Sequence, residues 1–280
     1  MQISLDQSAR WNVYAVATVG RTGLWAVDFA PSGFFASPPD EHSSVVIDHI
    51  LDQLRVRQVR RFEWNVRYDH ESLAMELASR LPAAARVVTQ ALTLRSDYDE
   101  SFSQFNATIR NQVRKARKSG VVVATSSNLE DLEGYYAIHE QLAASKGGYG
   151  FMFPKSFLAA LVQSLKECRF LTATIEGRLV GGGLFLRDGN SVFYLHGAHD
   201  HRYSKQFPMC AVIDSAIQWA YQVNATHFNF GGSAGIQSLE RFKSFWGAES
   251  VQCWRFTWRN PIWRKLDGAK RWIQKLTHSP

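Results

Sequence analysis

Three β-rich runs follow one another in the second half of the chain, at residues 170–175, 179–186 and 192–196. The segments between them, 176–178 (Glu-Gly-Arg) and 188–190 (Asp-Gly-Asn), have the composition of tight turns. Neighbouring strands joined by such short turns pair antiparallel. The sequence therefore predicts a three-stranded meander at the centre of a sheet.

Apolar periodicity and turn residues predict seven further elements around this meander. A strand at 121–125 precedes two helices, one capped by Asn128 and one opened by Pro154. After the meander we expect a helix from Pro208 to about residue 221, and then a strand at 226–230, a helix at 238–246 and a strand at 251–258. The order from residue 120 is thus β, α, α, β, β, β, α, β, α, β, which is a mixed α+β class.

The first hundred residues repeat the last part of this order. The predicted elements are strands at 13–18 and 24–29, a helix at 44–54, a strand at 59–66, a helix at 70–80 and a strand at 86–94. One offset of 166 residues aligns Val46-Ile47-Asp48 with Val212-Ile213-Asp214, and Phe62 with Phe228. These identities favour a degenerate duplicated lobe, and the alternative is an unrelated N-terminal α/β domain.

A basic segment lies between the two halves. Residues 98–119 are predicted to form one helix whose apolar stripe includes Phe105 and Ile109. Between residues 101 and 129 there is no acidic residue, and the basic ones are Arg110, Arg114, Lys115, Arg117 and Lys118. The whole chain carries a formal net charge of +7, so polyanions are favoured partners. Two interpretations are open: a solvated face on a packing helix, or a surface that faces the phosphates of tRNA or of a nucleotide-linked substrate.

The segment from 228 to 249 combines a predicted strand, paired glycines and a charged helix. The strand Phe228-Asn229-Phe230 ends in Gly231-Gly232-Ser233, and the helix that follows carries Arg241-Phe242-Lys243 before Gly247-Ala248-Glu249. Paired glycines tolerate positive φ and let the backbone pass close to a ligand, although a plain strand-to-helix turn is the alternative. Together with the basic run at 109–116, Gly120-Val121 and the helix behind Pro208, this segment resembles the Fem family of peptidoglycan-bridge aminoacyltransferases, which have the GNAT acyltransferase fold.

The resemblance covers about residues 94 to 258 and implies a domain plan. A degenerate GNAT-like lobe would occupy 1–97, a basic connecting helix 98–119, the complete GNAT acyltransferase domain 120–260, and a basic amphipathic helix 261–280. In the Fem family the lysine of the Phe-Lys pair lies near the acyl ester and is thought to stabilise developing negative charge. The resemblance places this catalytic role on Lys243, whose alternative is a surface lysine. The donor-binding or substrate-binding residues that it implies around Lys243 are Arg241, Phe242, Gly231, Gly232 and Ser233.

The loop before Pro208 bears on the donor. GNAT enzymes that use coenzyme A hold its pyrophosphate with backbone amides of a glycine-rich loop at this place. Here residues 200–208 read Asp-His-Arg-Tyr-Ser-Lys-Gln-Phe-Pro, without glycine, so only the side chains of Arg202 and Lys205 remain to hold phosphate. This departure favours aminoacyl-tRNA as the donor, with acetyl-CoA as the alternative and no bound cofactor. Arg110, Arg114 and Lys115 are the expected tRNA-binding residues.

The run from His196 to His201 contains imidazoles and a carboxylate close in sequence, which is also the pattern of a metal site. We expect no metal, and instead a hydrogen-bonding or proton-accepting role for His196 or His199, because an attacking amine must lose a proton. The three cysteines, Cys168, Cys210 and Cys253, lie far apart and form no Cys-x-x-Cys pair. They are predicted to be small core residues rather than disulfide partners or zinc ligands.

The last twenty residues form a separate basic and apolar pattern. Its apolar stripe is Ile262, Leu266, Ala269, Ile273 and Leu276, with Trp263 and Trp272 near it and five basic residues elsewhere. Such a helix suits a membrane surface where a lipid-linked substrate is met, and packing on the preceding domain is the alternative. No apolar run approaches the roughly 20 residues of a membrane span. We expect a cytoplasmic location, at the inner face of the membrane if the tail binds lipid.

These patterns lead to one favoured function and two alternatives. The favoured function is an N-acyltransferase that moves an aminoacyl group from aminoacyl-tRNA to an amine of a cell-wall precursor, a peptide or a small molecule. The alternative within the same fold is acetyl-CoA-dependent N-acetylation. The alternative of another class is a non-catalytic adaptor that binds RNA or a membrane surface.

Overall fold

The computed structural model describes residues 2–4, 10–12, 16–19, 25–29, 43–56, 61–66, 71–81, 84–145, 155–188, 190–233 and 235–261. The chain divides into two compact units, one made of residues 1–87 and 252–280 and the other of residues 88–251. The domain boundaries proposed from the sequence stay a prediction. The C-terminal tail from residue 262, and Pro154 as a helix start, lie outside the described residues.

In the unit of residues 1–87 and 252–280, the described residues form short antiparallel pairs and two helices. Its elements are β1 (Gln2–Ser4), β2 (Arg10–Asn12), β3 (Val16–Val19), β4 (Trp25–Phe29), α1 (Ser43–Val56), β5 (Arg61–Val66), α2 (Glu71–Arg80), the start of β6 (Ala84–Thr93) and most of β12 (Glu249–Arg259). Strands β1 and β2 pair antiparallel, as do β3 and β4, and the second half of β12 pairs antiparallel with β5. Ile47, Ile50 and Leu77 are buried, and Arg80 binds Asp48.

The unit of residues 88–251 contains the meander. Its helices are α3 (Tyr98–Gln104), α4 (Ala107–Lys118), α5 (Leu129–Ser145), α6 (Lys155–Ser164), α7 (Pro208–Gln222) and α8 (Gln237–Ser244), with a 3₁₀ helix at His201–Gln206. Its further strands are β7 (Val122–Ser126), β8 (Cys168–Ile175), β9 (Arg178–Asp188), β10 (Ser191–His199) and β11 (His227–Asn229), in the spatial order β6, β11, β10, β9, β8, β7. The predicted order of ten elements is confirmed.

The meander pairs antiparallel from β7 to β10, as expected from its short turns. The turn between β8 and β9 consists of Glu176 and Gly177, with φ of 51° and 76°, which is the backbone of a type I′ turn. Strands β10 and β11 are parallel through only three residue pairs, the last of which joins Phe193 and Asn229. Because β10 continues to His199 while β11 stops at Asn229, the two strands leave an unpaired wedge beyond this point.

Helices cover both faces of this sheet. Phe185 of β9 packs in the apolar cluster formed with α4 and α7. Its neighbour Leu184 points the other way and pairs with Phe170, whose ring lies 5.3 Å from that of Tyr135 on α5. The two faces are therefore an α7 face and an α5 face. Among the described helices, none is long and apolar enough to cross a bilayer.

The segment predicted as one helix from 98 to 119 is two helices. The backbone N–H of Asn106 donates to the carbonyl oxygen of Phe245 at 2.8 Å, and its side-chain oxygen caps α4 by accepting from the N–H of Thr108 at 2.9 Å. An Asn with these two bonds ends one helix and begins the next. The prediction of a single helix was wrong because the apolar stripe continues across the break.

Candidate functional site

The corner after β11 is held by the side chain of Lys243. Its ammonium donates to the carbonyl oxygens of Gly231 at 2.8 Å and Gly232 at 2.9 Å, and to Oε1 of Gln90 at 3.3 Å. The residue is 3% exposed, although it lies on the otherwise solvent-facing helix α8. Gly231 has a φ of 72°, a conformation that side chains disfavour, so the glycine is required where the chain turns. The interpretation of Lys243 as a surface lysine is wrong.

The corner is a buried polar network rather than an isolated contact. Gln90 on β6 accepts through Oε1 from the hydroxyl of Ser233 at 2.8 Å as well as from Lys243, and its backbone N–H donates to Gly231. Burial lowers the pKa of Lys243 to about 8, an effect that the carboxylate of Glu240 partly offsets. The ammonium therefore predominates at neutral pH, and it places a positive charge beside the wedge.

Asn229 orients the first glycine of the corner. Its side-chain oxygen accepts from the hydroxyl of Thr89 at 2.7 Å and from the N–H of Gly231 at 2.8 Å. Since both partners are donors, the amide nitrogen Nδ2 points away from them, and it has no hydrogen-bond partner although it is buried. Asn229 shares a sheet face with its partner Phe193, and this is the α5 face.

His196 lies on the same α5 face, directly after an irregularity in β10. The pairing with β9 shifts between Tyr194 and His196, so Leu195 is a bulge residue. The phenol of Tyr135, on α5, is hydrogen-bonded to Nδ1 of His196, and the ring of His139 lies 4.1 Å away by ring centroids. Burial, reinforced by the neighbouring His139, lowers the pKa of His196 to about 3. Burial also lowers the pKa of His139.

His199 belongs to a different place. It follows His196 by three residues on the strand, so its side chain leaves from the α7 face, where Nε2 lies 3.1 Å from the hydroxyl of Ser204 in the 3₁₀ helix. The two histidines do not converge. The described residues contain no cluster of three or more histidine, cysteine, aspartate or glutamate side chains suited to a metal.

The start of α7 lacks a backbone cradle for phosphate. Phe207 has a φ of 55° and caps the helix without a side-chain bond, and Pro208 has no N–H. The N–H groups of Cys210 and Ala211 both donate to the carbonyl oxygen of Phe207, at 3.0 and 3.3 Å. Among the described contacts of the first turn, the N–H of Met209 is the one that remains for a ligand. A pyrophosphate group therefore finds few backbone donors at this helix end.

The two side chains that were expected to bind phosphate here, those of Arg202 and Lys205, differ in their contacts. The guanidinium of Arg202 binds the buried carboxylate of Asp200, with Nη2 at 2.5 Å from Oδ2, and this pairing lowers the pKa of Asp200. Lys205 is exposed on the 3₁₀ helix. Of these two side chains, Lys205 is thus the cation without a carboxylate beside it among the described contacts.

The basic residues of α4 divide into structural and exposed ones. Arg110 donates to the carbonyl oxygens of Ser103 and Phe105 at the end of α3, and Arg117 forms a 2.7 Å ion pair with Asp214 of α7. Arg114 and Lys115 are exposed, and the ammonium of Lys115 lies 5.2 Å from the ring centre of Phe207. The exposed pair, rather than Arg110, can meet a polyanion, and Lys115 does so close to the start of α7.

The other two residues of the predicted set lie on α8 beside Lys243. Phe242 packs against the buried Trp246, with ring centres 6.3 Å apart, and the exposed Arg241 stacks over Phe245. The structure therefore brings together Lys243, Gly231, Gly232 and Ser233 at the corner. Phe242 packs on the core side, and His196 stands on the neighbouring strand.

Sequence reasoning missed five polar residues of this region, which are Thr89, Gln90, Asn229, Tyr135 and His139. Two consecutive polar residues, Thr89 and Gln90, interrupt the apolar residues between Val87 and Leu92, and this signal was available. Tyr135 and His139 stand four residues apart on α5 and hence on one helix face, but their place opposite His196 depends on tertiary packing.

A separate pocket of about 80 Å³ contains none of the predicted site residues. It is lined by residues of β6 from Leu92 on, of α3, and of the turn at Trp246 and Gly247. Its strand residues Leu92 and Thr93 pair with Phe228 and His227, so the pocket lies toward the start of β11 and not at the corner. It has no evident connection with the wedge.

A meander whose last strand splays from a parallel neighbour, with helices on both faces, defines the class of GNAT-fold acyltransferases. The sequence model described as the acetyltransferase (GNAT) domain matches residues 103–244, half of the chain. The chain belongs to this family and is an acyltransferase. No curated protein sequence matches it.

Solved structures support the fold. One titled as the crystal structure of FemX has 13% sequence identity and a TM-score of 0.63, with 94% of this chain and 88% of that chain covered. L-PGS from Bacillus licheniformis has 12% identity and a TM-score of 0.53, with 79% and 74% covered. The C-terminal domain of a lysylphosphatidylglycerol synthetase, described as putative in its source Agrobacterium fabrum, has 9% identity and a TM-score of 0.51, with the same coverage. The expected Fem-like GNAT fold is confirmed.

Proposed function

We propose that the chain transfers an aminoacyl group from aminoacyl-tRNA to an amine of a cell-wall precursor, a peptide or a small molecule. The observation that carries this proposal is the start of α7, where Pro208 lacks an N–H and two of the next three N–H groups already bind Phe207. Coenzyme A would be deprived of its usual pyrophosphate cradle there. A tRNA donor instead requires distributed contacts with phosphates, which the exposed Arg114 and Lys115 supply.

The relatives are consistent with this donor class. The fold is shared with FemX and with a domain titled as part of a lysylphosphatidylglycerol synthetase. In the reaction, the amine nitrogen attacks the ester carbonyl carbon, a C–N bond forms, and the C–O bond to the tRNA ribose breaks. Negative charge develops on the carbonyl oxygen, and a donor or a positive charge close by lowers the barrier.

Lys243 supplies that positive charge in this proposal. All three hydrogens of its ammonium have protein acceptors, two of them at 2.8 and 2.9 Å and the third, on Gln90, at 3.3 Å. Direct donation to the oxyanion requires that Lys243 release its long hydrogen bond to Gln90. Oε1 of Gln90 then keeps the hydrogen bond from the hydroxyl of Ser233. The two short bonds keep the charge at the corner meanwhile.

The donor is identified by offering each candidate separately. Purified protein is incubated with a mixture of amines, once with a charged tRNA pool and once with acetyl-CoA, and the products are analysed by mass spectrometry. An aminoacyl mass increase that disappears when the tRNA is first digested with ribonuclease is the expected result. An acetyl mass increase, with saturable coenzyme A binding, would establish the alternative within the family instead.

The tRNA surface has its own test with a matched control. We expect the double substitution Arg114→Ala with Lys115→Ala to weaken tRNA binding and to reduce the slope of log affinity against log salt by about one to two. The control is Lys166→Ala with Arg187→Ala, which removes the same charge from two exposed residues at the β8 and β9 end of the sheet. Equal losses in both pairs would mean that only net charge matters.

A further inference from the structure

The phenol of Tyr135 defines the proton position on His196. Tyr135 is completely buried, and the described hydrogen bond of its hydroxyl is to Nδ1 of His196. Burial raises the pKa of Tyr135 well above its ordinary value, so the phenol keeps its proton. Burying an O–H without an acceptor is unfavourable, so the phenol donates and Nδ1 accepts. In a neutral imidazole the proton then lies on Nε2.

The surroundings keep this imidazole uncharged at neutral pH. Among the residues that the structure describes, the titratable groups that face it include Tyr135 and His139 of α5, and His139 in turn contacts the ring of Tyr136. On strand β9, Leu184 lies opposite His196 and Gly183 lies opposite Gly197. Neither Leu184 nor Gly183 has a titratable side chain. Both ring nitrogens of His139 are buried without a hydrogen-bond partner among the described residues, and the carboxylate of Glu140 raises the pKa of His139 by less than burial lowers it.

His196 also stands where an acyl carbonyl is expected. It follows the bulge at Leu195 and shares the α5 face with Phe193 and Asn229, on the two strands that separate at the wedge. The ring of Phe193 lies beside Gly231, because a Cβ atom placed on Gly231 would be 3.6 Å from that ring. The imidazole and the corner held by Lys243 thus flank the strand separation.

We propose that His196 is a neutral hydrogen-bond donor that stabilises the acyl oxygen through Nε2–H, with Tyr135 as its positioning residue, and that it is not the proton acceptor for the amine. This inference rests on the proposed acyl transfer. As the amine nitrogen attacks, the C=O electron pair moves to oxygen, which accepts from Nε2–H. When the oxyanion collapses, the bond to the donor's ribose oxygen breaks, and the amine proton passes through water to that leaving oxygen. A neutral imidazole gives this hydrogen bond without itself losing a proton.

The tautomer can be measured without any substrate. In protein labelled with ¹⁵N-histidine, we expect His196 to show one protonated nitrogen, Nε2, and an unprotonated Nδ1 throughout pH 5 to 8. His196→Gln assigns the signals by their disappearance. Tyr135→Phe removes the donor to Nδ1 and should produce a mixture of tautomers. A proton on Nδ1 in the native protein, or an imidazolium near pH 6, would overturn the inference even if transfer activity is found.

Activity distinguishes a donor from a base. Glutamine retains an N–H donor near the position of Nε2 but cannot accept a proton at neutral pH. With charged tRNA as the donor, we expect His196→Gln to remain within about tenfold of the native kcat and His196→Ala to lose about 100- to 1000-fold. Equal loss in both variants would contradict the donor role. Absence of turnover with every donor, combined with the expected tautomer, would count against the proposed function and leave the proton assignment in place.

The role of Tyr135 is tested in combination with His196. Tyr135→Phe alone should lower kcat about tenfold while the KM for the acceptor stays the same, because the phenol only orients the imidazole. In the His196→Gln background the same substitution should have no further effect on kcat, since the group that it orients is gone. Additive losses would show that the phenol contributes packing rather than orientation.

Discussion

Lys243 donates a 2.8 Å hydrogen bond to the carbonyl oxygen of Gly231, which lies just beyond the end of β11 at Asn229. The bond links α8 to the turn after β11 and thereby fixes the position of this corner beside the wedge. A lysine in this position has two effects that need not have the same cause, because it fixes a backbone turn and also keeps a charge in a poorly hydrated place. Separate measurements can distinguish the two.

The structural effect is tested by Lys243→Met, which keeps much of the side-chain volume and removes the donors. The carbonyl oxygen of Gly232 then loses its described partner, while Gly231 retains the N–H of Gln90. We expect the free energy of unfolding to fall by about 1–3 kcal/mol, measured by urea denaturation. Ser244→Ala, on the exposed side of the same helix, should change it by less than about 0.5 kcal/mol. A Met variant as stable as the native protein would mean that the network is dispensable.

The electrostatic effect appears in the pH dependence of stability. Burial lowers the pKa of Lys243 from 10.5 to about 8, so between these values the unfolded chain binds a proton that the folded chain does not. Stability rises with pH where the unfolded state binds more protons. The native protein should therefore gain stability relative to Lys243→Met from pH 8 to about 10, with a constant difference below pH 8. Urea denaturation of both proteins at each pH provides the comparison, and a flat difference across this range would refute the lowered pKa.

Most of the fold in residues 120–258 was predictable because its signals are local. Tight-turn compositions set the meander, and Asn128 caps α5 by accepting from the N–H of Glu130 at 2.9 Å. The break at Asn106 was not predicted, since an Asn within an amphipathic run reads as a solvent-facing helix residue. Only the partner Phe245, 139 residues later, makes the interruption favourable. The strands β1 and β2 were not predicted, because runs this short show no alternation of apolar and polar residues.

The site was predictable where a residue type by itself restricts the backbone. Paired glycines and a lysine 11 residues after the second of them are visible in the sequence, and they meet at the corner. The polar partners Gln90 and Tyr135 could not be predicted, because each meets its partner only through tertiary packing of segments more than 60 residues apart in sequence. The duplicated-lobe hypothesis stays a prediction. The element order β, β, α, β, α, β occurs in both halves, whereas the aligned Asp48 and Asp214 take arginines from different elements, α2 and α4.

The buried carboxylate of Asp214 should depend strongly on its arginine. Asp214 accepts from the phenol of Tyr98 at 2.5 Å, from Arg117 at 2.7 Å and from Gln218 at 3.0 Å. Arg117→Ala removes the only one of these donors that carries charge, and we expect a loss of about 1–3 kcal/mol, less than for a fully buried pair because Arg117 is half exposed. Lys118→Ala, next to it on α4 and exposed, is the matched control. Thermal unfolding of both variants decides the matter, and equal Tm values would contradict a role for the ion pair.

Gly182 connects the packing of the sheet with the proposed site. A methyl group at this position on β9 would lie 2.7 Å from the carbonyl oxygen of Leu171 and 3.1 Å from the ring of Tyr135, and backbone cannot yield as a flexible side chain can. We expect Gly182→Ala to destabilise the protein by about 1–3 kcal/mol through overpacking. The displaced Tyr135 should also shift the imidazole ¹⁵N signals of His196.

Gly134→Ala on α5 is the comparison for Gly182→Ala, because the methyl group there would meet the end of the Leu179 side chain at 3.0 Å, which can rotate away. Alanine is also favoured over glycine within a helix by about 1 kcal/mol, so this variant should be as stable as the native protein or more so. If Gly182→Ala left both Tm and the His196 signals unchanged, the close approach of Tyr135 to β9 would not be what positions its phenol.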